Sequence, residues 1–215
     1  QIEQFKELGY YITPPAFDRG TLAEVVKEFD RLHEEVIRQA EASGDPKRIQ
    51  LARVRPFIGG AHLKSAVLKE FVKAPVYAEA CAALLGSDAD LYYNQVVIKA
   101  PEQGMAFGWH QDTAYGVCDP MEYLTCWTAI GPATLENGCI WIITGSHKRG
   151  LLKHVRNEFS LDAVLDDERG ALPVEVEAGQ VVVFNSLLLH KSGPNVSKAV
   201  RRAYVPQYHV AHVVD

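Results

Sequence analysis

The tetrapeptide Trp109-His110-Gln111-Asp112 places a histidine and a carboxylate two positions apart, and it decides how the rest of the chain is interpreted. In extended chain, side chains two positions apart leave the same face, so His110 and Asp112 can hold one divalent metal ion together. His190 is the candidate for a third ligand because it ends the most apolar segment of the chain, where a solitary imidazole needs a polar partner. Two histidines and one carboxylate leave three adjacent positions open on an octahedral ion, as in non-haem Fe(II) oxygenases.

The His-x-Asp pattern is a weak signal by itself, and another residue must support it. The chain has eight histidines, so such a pair can arise by chance, and a structural zinc site with thiolate ligands is the ordinary alternative. Arg201 gives the support, because it follows His190 at the start of a strand that is expected to return beside it. Its guanidinium can hold one end of a dicarboxylate while the other end chelates the metal. Arg202 falls on the opposite face and is interpreted as a solvated residue.

Composition limits the class of protein. At 215 residues, with 47% hydrophobic and 23% charged residues, the chain is long enough for one soluble domain with a substantial core. A net charge of -5 argues against a general affinity for nucleic acid, and the apolar runs are far shorter than a membrane span. We expect a cytoplasmic monomer or homodimer that binds neither nucleic acid nor membrane. The four cysteines contain no C-x-x-C pair and are expected to be reduced core residues: Cys81, Cys118, Cys126 and Cys139.

Hydrophobic periodicity divides the chain into a mostly helical part, residues 1–88, and a β-rich part, residues 89–212. The clearest helix begins at Thr21, with Thr21 as its N-cap, and a second helical region covers 61–85. The later short strands indicate a sandwich or barrel with the helices on its outer face. The polar stretch 153–172 is interpreted as a mobile excursion, the kind of segment in which lids are found. The predicted strands cover 91–99, 124–130, 139–144, 174–176, 181–185, 187–191 and 201–210.

Several ordered motifs carry a resemblance to a known family. They are His110-x-Asp112, Cys126-Trp127-Thr128-Ala129, Glu136-Asn137-Gly138-Cys139-Ile140-Trp141 followed by Gly145-Ser146-His147, and His190-x-Ser192-Gly193 followed by Arg201. Together they resemble the phytanoyl-CoA dioxygenase family of Fe(II)/2-oxoglutarate oxygenases, strongly in the β-rich part and weakly in the helices. The resemblance implies one oxygenase domain over residues 1–215, mainly β with flanking α-helices. Its core would be a double-stranded β-helix, a jelly-roll or cupin-like architecture.

The resemblance also assigns the metal ligands. It makes His110, Asp112 and His190 the catalytic iron triad, and it implies Fe(II), 2-oxoglutarate and O₂ as cofactor and cosubstrates. A carboxylate at Asp112 argues against a halogenase, in which a small residue frees that position for chloride. His147 is interpreted as a structural residue, because the triad is complete without it.

A second set of residues is implied to bind 2-oxoglutarate. Arg201 matches the residue that pairs with the distal carboxylate, and Gln95 falls where the family often has a methionine. Arg55 is the nearest match for a basic residue that completes this pocket from the N-terminal region, with Arg53 and Lys47 as alternatives. The full implied set is Arg201, Ser192, Trp127, Gln95 and Arg55.

The resemblance therefore implies an Fe(II)/2-oxoglutarate-dependent dioxygenase that oxidises an unactivated C–H bond of a small metabolite or natural-product intermediate. Hydroxylation, oxidative cyclisation and desaturation all fit, with succinate and CO₂ as co-products. An acyl-CoA hydroxylase is the substrate variant, although no strongly basic cluster near the site would bind the CoA phosphates. A non-catalytic cupin-like metal- or ligand-binding protein would not need Arg201 or Ser192, and a zinc hydrolase would need a glutamate base that the motif lacks. The candidate substrate contacts are Tyr93, Phe107, Thr113 and Tyr115, with core packing as the alternative role for Tyr93 and Phe107.

Overall fold

Helices make up most of the first 86 residues. The computed structural model describes residues 1–86, 89–116, 122–157 and 160–210, so the predicted core position of Cys118 lies outside it. Among the described residues, no helix has the length and apolarity to cross a membrane. The helices are α1 (Ile2–Leu8), α2 (Arg19–Ser43), α3 (Pro46–Val54), α4 (Ala66–Phe71) and α5 (Pro75–Leu84), with strands β1 (Tyr10–Ile12) and β2 (Phe57–Gly59) among them.

The longest helix, α2, begins two residues before its predicted start. The N-cap is Asp18 and not Thr21, because the Asp18 carboxylate accepts a hydrogen bond from the Thr21 backbone N–H at 2.9 Å. The helix ends at Gly44, whose φ of 68° lies in the left-handed region that favours glycine. Its apolar stripe includes Val25 and Phe29, which are fully buried and belong to a core cluster shared with the large sheet. The helices therefore flank the sheet, as predicted.

In the described part of the chain, ten further strands follow the helical part. They are β3 (Ala89–Lys99), β4 (Phe107–His110), β5 (Leu124–Ala129), β6 (Ile140–Ile143), β7 (His154–Arg156), β8 (Leu161–Ala163), β9 (Ala171–Val174), β10 (Val181–Asn185), β11 (His190–Ser192) and β12 (Arg201–Val210). A six-stranded sheet has the order β1-β10-β5-β12-β3-β2, a four-stranded sheet has the order β4-β11-β6-β9, and β7 pairs with β8. Neighbouring strands in all three are antiparallel.

An apolar layer joins the two larger sheets. It includes Trp127 and Phe184 from the six-stranded sheet and Ile140 and Ile142 from the four-stranded sheet. The two antiparallel sheets pack face to face over this common core, and their strand order is that of a double-stranded β-helix. The predicted fold, mainly β with flanking helices and a jelly-roll core, is confirmed.

Some predicted elements differ from the structure. Strand β11 begins at His190 and not at residue 187, because the preceding residues form a turn in which Asn185 accepts hydrogen bonds from the backbone N–H groups of Leu187 and Leu188, both at 2.8 Å. Strand β4 was not predicted, since Gly108 interrupts its short pattern. The stretch 153–172, for which no strand was predicted, contains the paired strands β7 and β8.

Candidate metal centre

The predicted triad converges on one point between the strands that carry it. His110 ends β4, His190 begins β11, and the two are directly opposed in the pairing of these strands. Asp112 begins a single 3-10 turn after an extended Gln111, so the chain does not continue as a strand beyond the site. The Asp112 Oδ1 atom lies 3.6 Å from His110 Nε2 and 3.5 Å from His190 Nε2. The three ligand atoms lie within 4.8 Å of one another, which suits a shared metal ion.

Backbone carbonyls set the tautomer of both histidines. The Nδ1 atom of His110 lies 2.9 Å from the carbonyl oxygen of Gly108, and that of His190 lies 2.9 Å from the carbonyl oxygen of Leu188. Because a carbonyl oxygen only accepts hydrogen bonds, each Nδ1 carries the proton and each Nε2 keeps its lone pair for a metal.

The protonation states also fit metal binding. Burial lowers the pKa of His110, and the neighbouring His190 lowers it further, so this imidazole is neutral at pH 7. Burial by itself raises the pKa of Asp112, but the adjacent His190 and His110 outweigh that effect and the net shift is downward. An ionised carboxylate beside a neutral imidazole is the kind of donor pair that a divalent transition metal requires.

Arg201 is buried at the inner end of the cavity that contains the triad. This cavity, of about 570 Å³, lies between the two larger sheets. The Arg201 guanidinium lies 5.4 Å from the ring centroid of Trp127, and the residue is 2% exposed. Its Nε and Nη1 atoms have no hydrogen-bond partner in the described part of the chain. Unpaired buried donors are costly, so the geometry favours an anionic ligand that would accept from them.

Two further basic residues, Arg55 and Lys99, are buried behind the cavity wall, and neither is among the described residues that line the cavity. Arg55 is buried, donates from Nη1 to the Ala106 carbonyl oxygen at 2.9 Å, and has an Nε without a partner among the described residues. Lys99 was not singled out from the sequence; it is 1% exposed and donates to the carbonyl oxygens of Met105, at 2.8 Å, and Gly193. Burial lowers the pKa of Lys99 to about 6, and the charges of Arg201 and Arg55 contribute in the same direction.

The alternatives to Arg55 lie elsewhere. Arg53 pairs with Glu41 at 2.6 Å, and its side chain is 58% exposed. Lys47 is exposed at the start of α3. Of these three basic residues, Arg55 is the one that the structure places against the cavity wall, with its guanidinium 5.1 Å from the Phe107 ring centroid. Arg202 is not simply solvated, because it pairs with Asp30 of α2 at 2.7 Å.

The outer part of the cavity is aromatic. Phe57, Tyr93 and Tyr115 are 41%, 41% and 49% exposed, and all three line this cavity. Phe107 lies behind them, with its ring centroid 4.5 Å from that of His110. The aromatic wall therefore begins directly beside a metal ligand. The predicted site residues that line the cavity are His110, Asp112, His190, Arg201, Ser192, Trp127, Gln95, Tyr93, Phe107 and Tyr115.

Thr113 does not join the predicted substrate contacts. It is fully buried, its hydroxyl donates to Ser186 Oγ at 2.8 Å, and it is not among the residues that line the cavity. The 3-10 turn that begins at Asp112 explains this, since it rotates Thr113 away from the direction it would take in a strand. Thr125 and Gln207 were missed, and both line the cavity. Strand alternation could have found them, because Gln207 shares a face of β12 with Arg201, and Thr125 shares a face of β5 with Trp127.

The β7–β8 hairpin covers the outer side of the metal-bearing strand. The Asp162 carboxylate lies against Gly108, where a Cβ atom would collide with it. The Leu161 backbone N–H donates to the Tyr115 hydroxyl at 2.9 Å, which joins the hairpin to the turn that follows Asp112. The mobility predicted for this segment stays a prediction.

A model of the phytanoyl-CoA dioxygenase family matches residues 5–203. The chain belongs to this family. Among curated members, the phytanoyl-CoA dioxygenase of Arabidopsis thaliana is 26% identical over 164 residues, which cover 74% of this chain and 57% of that protein. The methylphosphonate hydroxylase of Gimesia maris is 35% identical over 130 residues, covering 60% of this chain and 48% of that protein. The chain spans about half the length of the curated relatives it matches.

Solved structures agree with this phytanoyl-CoA dioxygenase family fold. The non-haem monooxygenase ThoJ, in its apo form, superposes with a TM-score of 0.80 and 26% identity, over 99% of this chain and 78% of that one. EvdO2 from Micromonospora carbonacea var. aurantiaca, complexed with 2-oxoglutarate, superposes with a TM-score of 0.78 over 100% of this chain and 91% of that one. At 23% identity, EvdO2 supports the fold alone.

Proposed function

We propose that this chain is the catalytic part of a non-haem Fe(II)- and 2-oxoglutarate-dependent dioxygenase that oxidises an unactivated C–H bond of a small metabolite. The observation that carries the proposal is the shared cavity of the metal triad and Arg201, whose two buried donors lack a partner among the described residues. A dicarboxylate can chelate the metal at one end and accept from Arg201 at the other. The match to the phytanoyl-CoA dioxygenase family supports the same cosubstrate.

The charges around the inner end of the cavity support a dianionic cosubstrate. Arg55, Lys99 and Arg201 are all buried, and within the described ranges none of them pairs with a carboxylate. Burial and the charges of Arg201 and Arg55 lower the pKa of Lys99 to about 6, and a bound dianion would stabilise the charged form of all three groups. Ser192, Trp127 and Gln95 complete the proposed cosubstrate pocket from the two facing sheets.

Each part of the chain has a defined task in this reaction. His110, Asp112 and His190 are proposed to hold Fe(II) and leave three positions open. When bound, Fe(II) with 2-oxoglutarate and O₂ supplies the oxidising chemistry, in which one oxygen atom enters the substrate and the other enters succinate as CO₂ is lost. The apolar walls exclude water, and Arg201 fixes the orientation of the cosubstrate. Cyclisation or desaturation would need the same arrangement of residues.

The aromatic outer cavity favours a small substrate without phosphate groups. Tyr93, Phe107 and Tyr115 are proposed to contact it, and Phe57 lies on the same wall. Lys191 also lines the cavity, but its ammonium group pairs with Glu168 at 2.7 Å. No unpaired basic side chain lines the described part of this outer region, so the site offers little to a CoA phosphate. An acyl-CoA ester is therefore the second candidate, kept because relatives carry the name phytanoyl-CoA dioxygenase.

The two non-oxygenase alternatives explain fewer observations. A cupin-like protein that only binds a metal would not need the buried, unpaired Arg201 donors. A zinc hydrolase would need a general base, and no glutamate is present among the described residues that line the cavity. The described cysteines Cys81, Cys126 and Cys139 are unpaired and buried, which supports a reducing, cytoplasmic location. A monomer or homodimer is the proposed assembly.

Slow turnover of 2-oxoglutarate in the absence of substrate tests the proposal. The protein is incubated in air with Fe(II), ascorbate and 2-oxoglutarate, and succinate is quantified. We expect succinate and matching O₂ consumption in the wild type, and neither in His190→Ala. A wild type that binds Fe(II) but forms no succinate, with or without a panel of candidate metabolites, would favour the non-catalytic metal-binding protein.

A further inference from the structure

The carboxylate of Asp112 divides its two oxygens between different partners. Oδ1 faces the histidines, at 3.6 Å from His110 Nε2 and 3.5 Å from His190 Nε2. Oδ2 accepts a hydrogen bond from the Thr125 hydroxyl at 2.6 Å and another from Gln207 Nε2 at 3.0 Å. One oxygen is thus free for a metal, while the other is held by two donors.

Thr125 and Gln207 belong to the sheet opposite the one that carries the histidines. They are directly opposed residues of β5 and β12, and both are buried. The pairing of β12 with β3 is irregular immediately after Gln207, and β-bulges of this kind redirect side chains next to functional sites. The carboxylate of Asp112 is therefore held from across the cavity, which links the two sheets at the metal site.

The chemistry of the partners fixes the orientation of the Gln207 amide. An ionised carboxylate oxygen only accepts hydrogen bonds, so the Gln207 atom beside Asp112 is the nitrogen. This nitrogen also lies 3.3 Å from the Thr125 hydroxyl oxygen, which donates its own proton to Asp112. Both donors are neutral, so they hold the carboxylate without cancelling the negative charge that a divalent metal needs.

We propose that Thr125 and Gln207 are positioning residues that restrict Asp112 to binding the metal through Oδ1 alone. The inference rests on the proposed function, in which 2-oxoglutarate and O₂ together need three open positions on the metal. A carboxylate that is free to rotate can bind through both oxygens and would occupy one more position. The two hydrogen bonds also fix the side-chain conformation before the metal arrives, which strengthens binding.

Titration with Co(II), followed by visible absorption, tests this role without turnover, because the spectrum reports both occupancy and coordination number. We expect Thr125→Val and Gln207→Met each to weaken Co(II) binding by about 10- to 100-fold and to change the band intensity. Thr125→Ser keeps the hydroxyl and is expected to restore most of the affinity. Thr128→Val is the matched control, because Thr128 lies on the same strand, is equally buried, and bonds to the Tyr77 hydroxyl at 2.8 Å.

The outcomes separate this inference from the proposed function. If the wild type does not bind Co(II), the proposed metal site is wrong and the inference fails with it. If the wild type binds Co(II), and Thr125→Val and Gln207→Met, shown to be folded by near-UV circular dichroism, match its affinity and spectrum, the positioning role alone is wrong. An equal loss of affinity in Thr128→Val would attribute the effect to general destabilisation and would also overturn it.

Discussion

His110 and His190 are directly opposed on β4 and β11, and their ring centroids lie 4.0 Å apart. The antiparallel pairing of these strands therefore brings together two ligands that are distant in the sequence. Asp112 reaches the same point from the turn that follows β4. The backbone of a paired strand, or of the turn beside it, therefore fixes the position of each ligand.

Removal of His190 should abolish tight metal binding. His190→Ala is expected to weaken Co(II) or Fe(II) binding by more than about 100-fold, since even the outer partners of metal ligands are worth about 10- to 100-fold. Equilibrium dialysis under anaerobic conditions measures this. His147→Ala is the control, because His147 contacts the Lys6 carbonyl oxygen at 3.1 Å and should not contribute to metal binding. Tight binding retained in His190→Ala would show that the third ligand is another residue.

Arg201 should control affinity for 2-oxoglutarate and leave the metal site intact. Arg201→Gln removes a buried charged partner of a carboxylate, so we expect affinity for 2-oxoglutarate to fall roughly 100-fold. Affinity for the metal alone should not change. The neighbouring Arg202→Gln is a matched control, because Arg202 pairs with Asp30 on the opposite face of β12. If Arg201→Gln and Arg202→Gln lose affinity for 2-oxoglutarate to the same extent, the cosubstrate does not bind where we propose.

Arg55, and not Arg53, should complete the cosubstrate pocket. The Nε atom of Arg55 has no partner in the described part of the chain, whereas Arg53 pairs with Glu41 on the surface. Arg55→Met is expected to weaken 2-oxoglutarate binding by roughly 10-fold, the equivalent of one hydrogen bond to a charged group. Arg53→Met should bind like the wild type. Isothermal titration calorimetry with metal-loaded protein gives both values, and the reverse ranking would contradict the assignment.

Lys99 should make 2-oxoglutarate binding depend on pH. Its pKa of about 6 means that the ammonium group is mostly deprotonated at pH 7.5 before the cosubstrate binds. A nearby dianion favours the charged form and raises this pKa, so binding takes up a proton. The bound state then holds more protons than the free state, and affinity falls as pH rises above 6, by at most about tenfold per pH unit.

Calorimetry in buffers of different ionisation enthalpy detects this proton uptake. Lys99→Met removes the titrating group. The affinity of this variant for 2-oxoglutarate should therefore be nearly independent of pH between roughly 6.5 and 8.5, the range above the Lys99 pKa in which the wild-type affinity falls. Near-UV circular dichroism checks that the variant is folded. The same pH dependence in both proteins, or proton release on binding, would assign the effect to another group.

The triad and Arg201 could be predicted from the sequence because residue spacing and strand alternation determine which side chains lie on the same face of a strand. His110 and Asp112 are joined by a single extended residue, and Arg201 begins the long strand β12. The jelly-roll core followed from many short strands after a helical part.

The remaining features depend on contacts that local patterns do not encode. Thr113 was misplaced because the 3-10 turn after Gln111 could not be read from the spacing. Thr125 and Gln207 reach Asp112 only because two sheets face each other. Lys99 is significant only because the fold brings Arg55, which follows α3, and Arg201, which begins β12, close enough to influence its pKa. These are long-range consequences of the sheet topology.

Anaerobic titration of the wild type with Fe(II) and then 2-oxoglutarate tests the central claim most directly. Chelation of Fe(II) by the keto acid gives a weak visible charge-transfer band, which neither component gives alone with the protein. We predict that this band appears, saturates with one 2-oxoglutarate per chain, and is absent in His190→Ala. Fe(II) bound without any band at saturating 2-oxoglutarate would contradict the account.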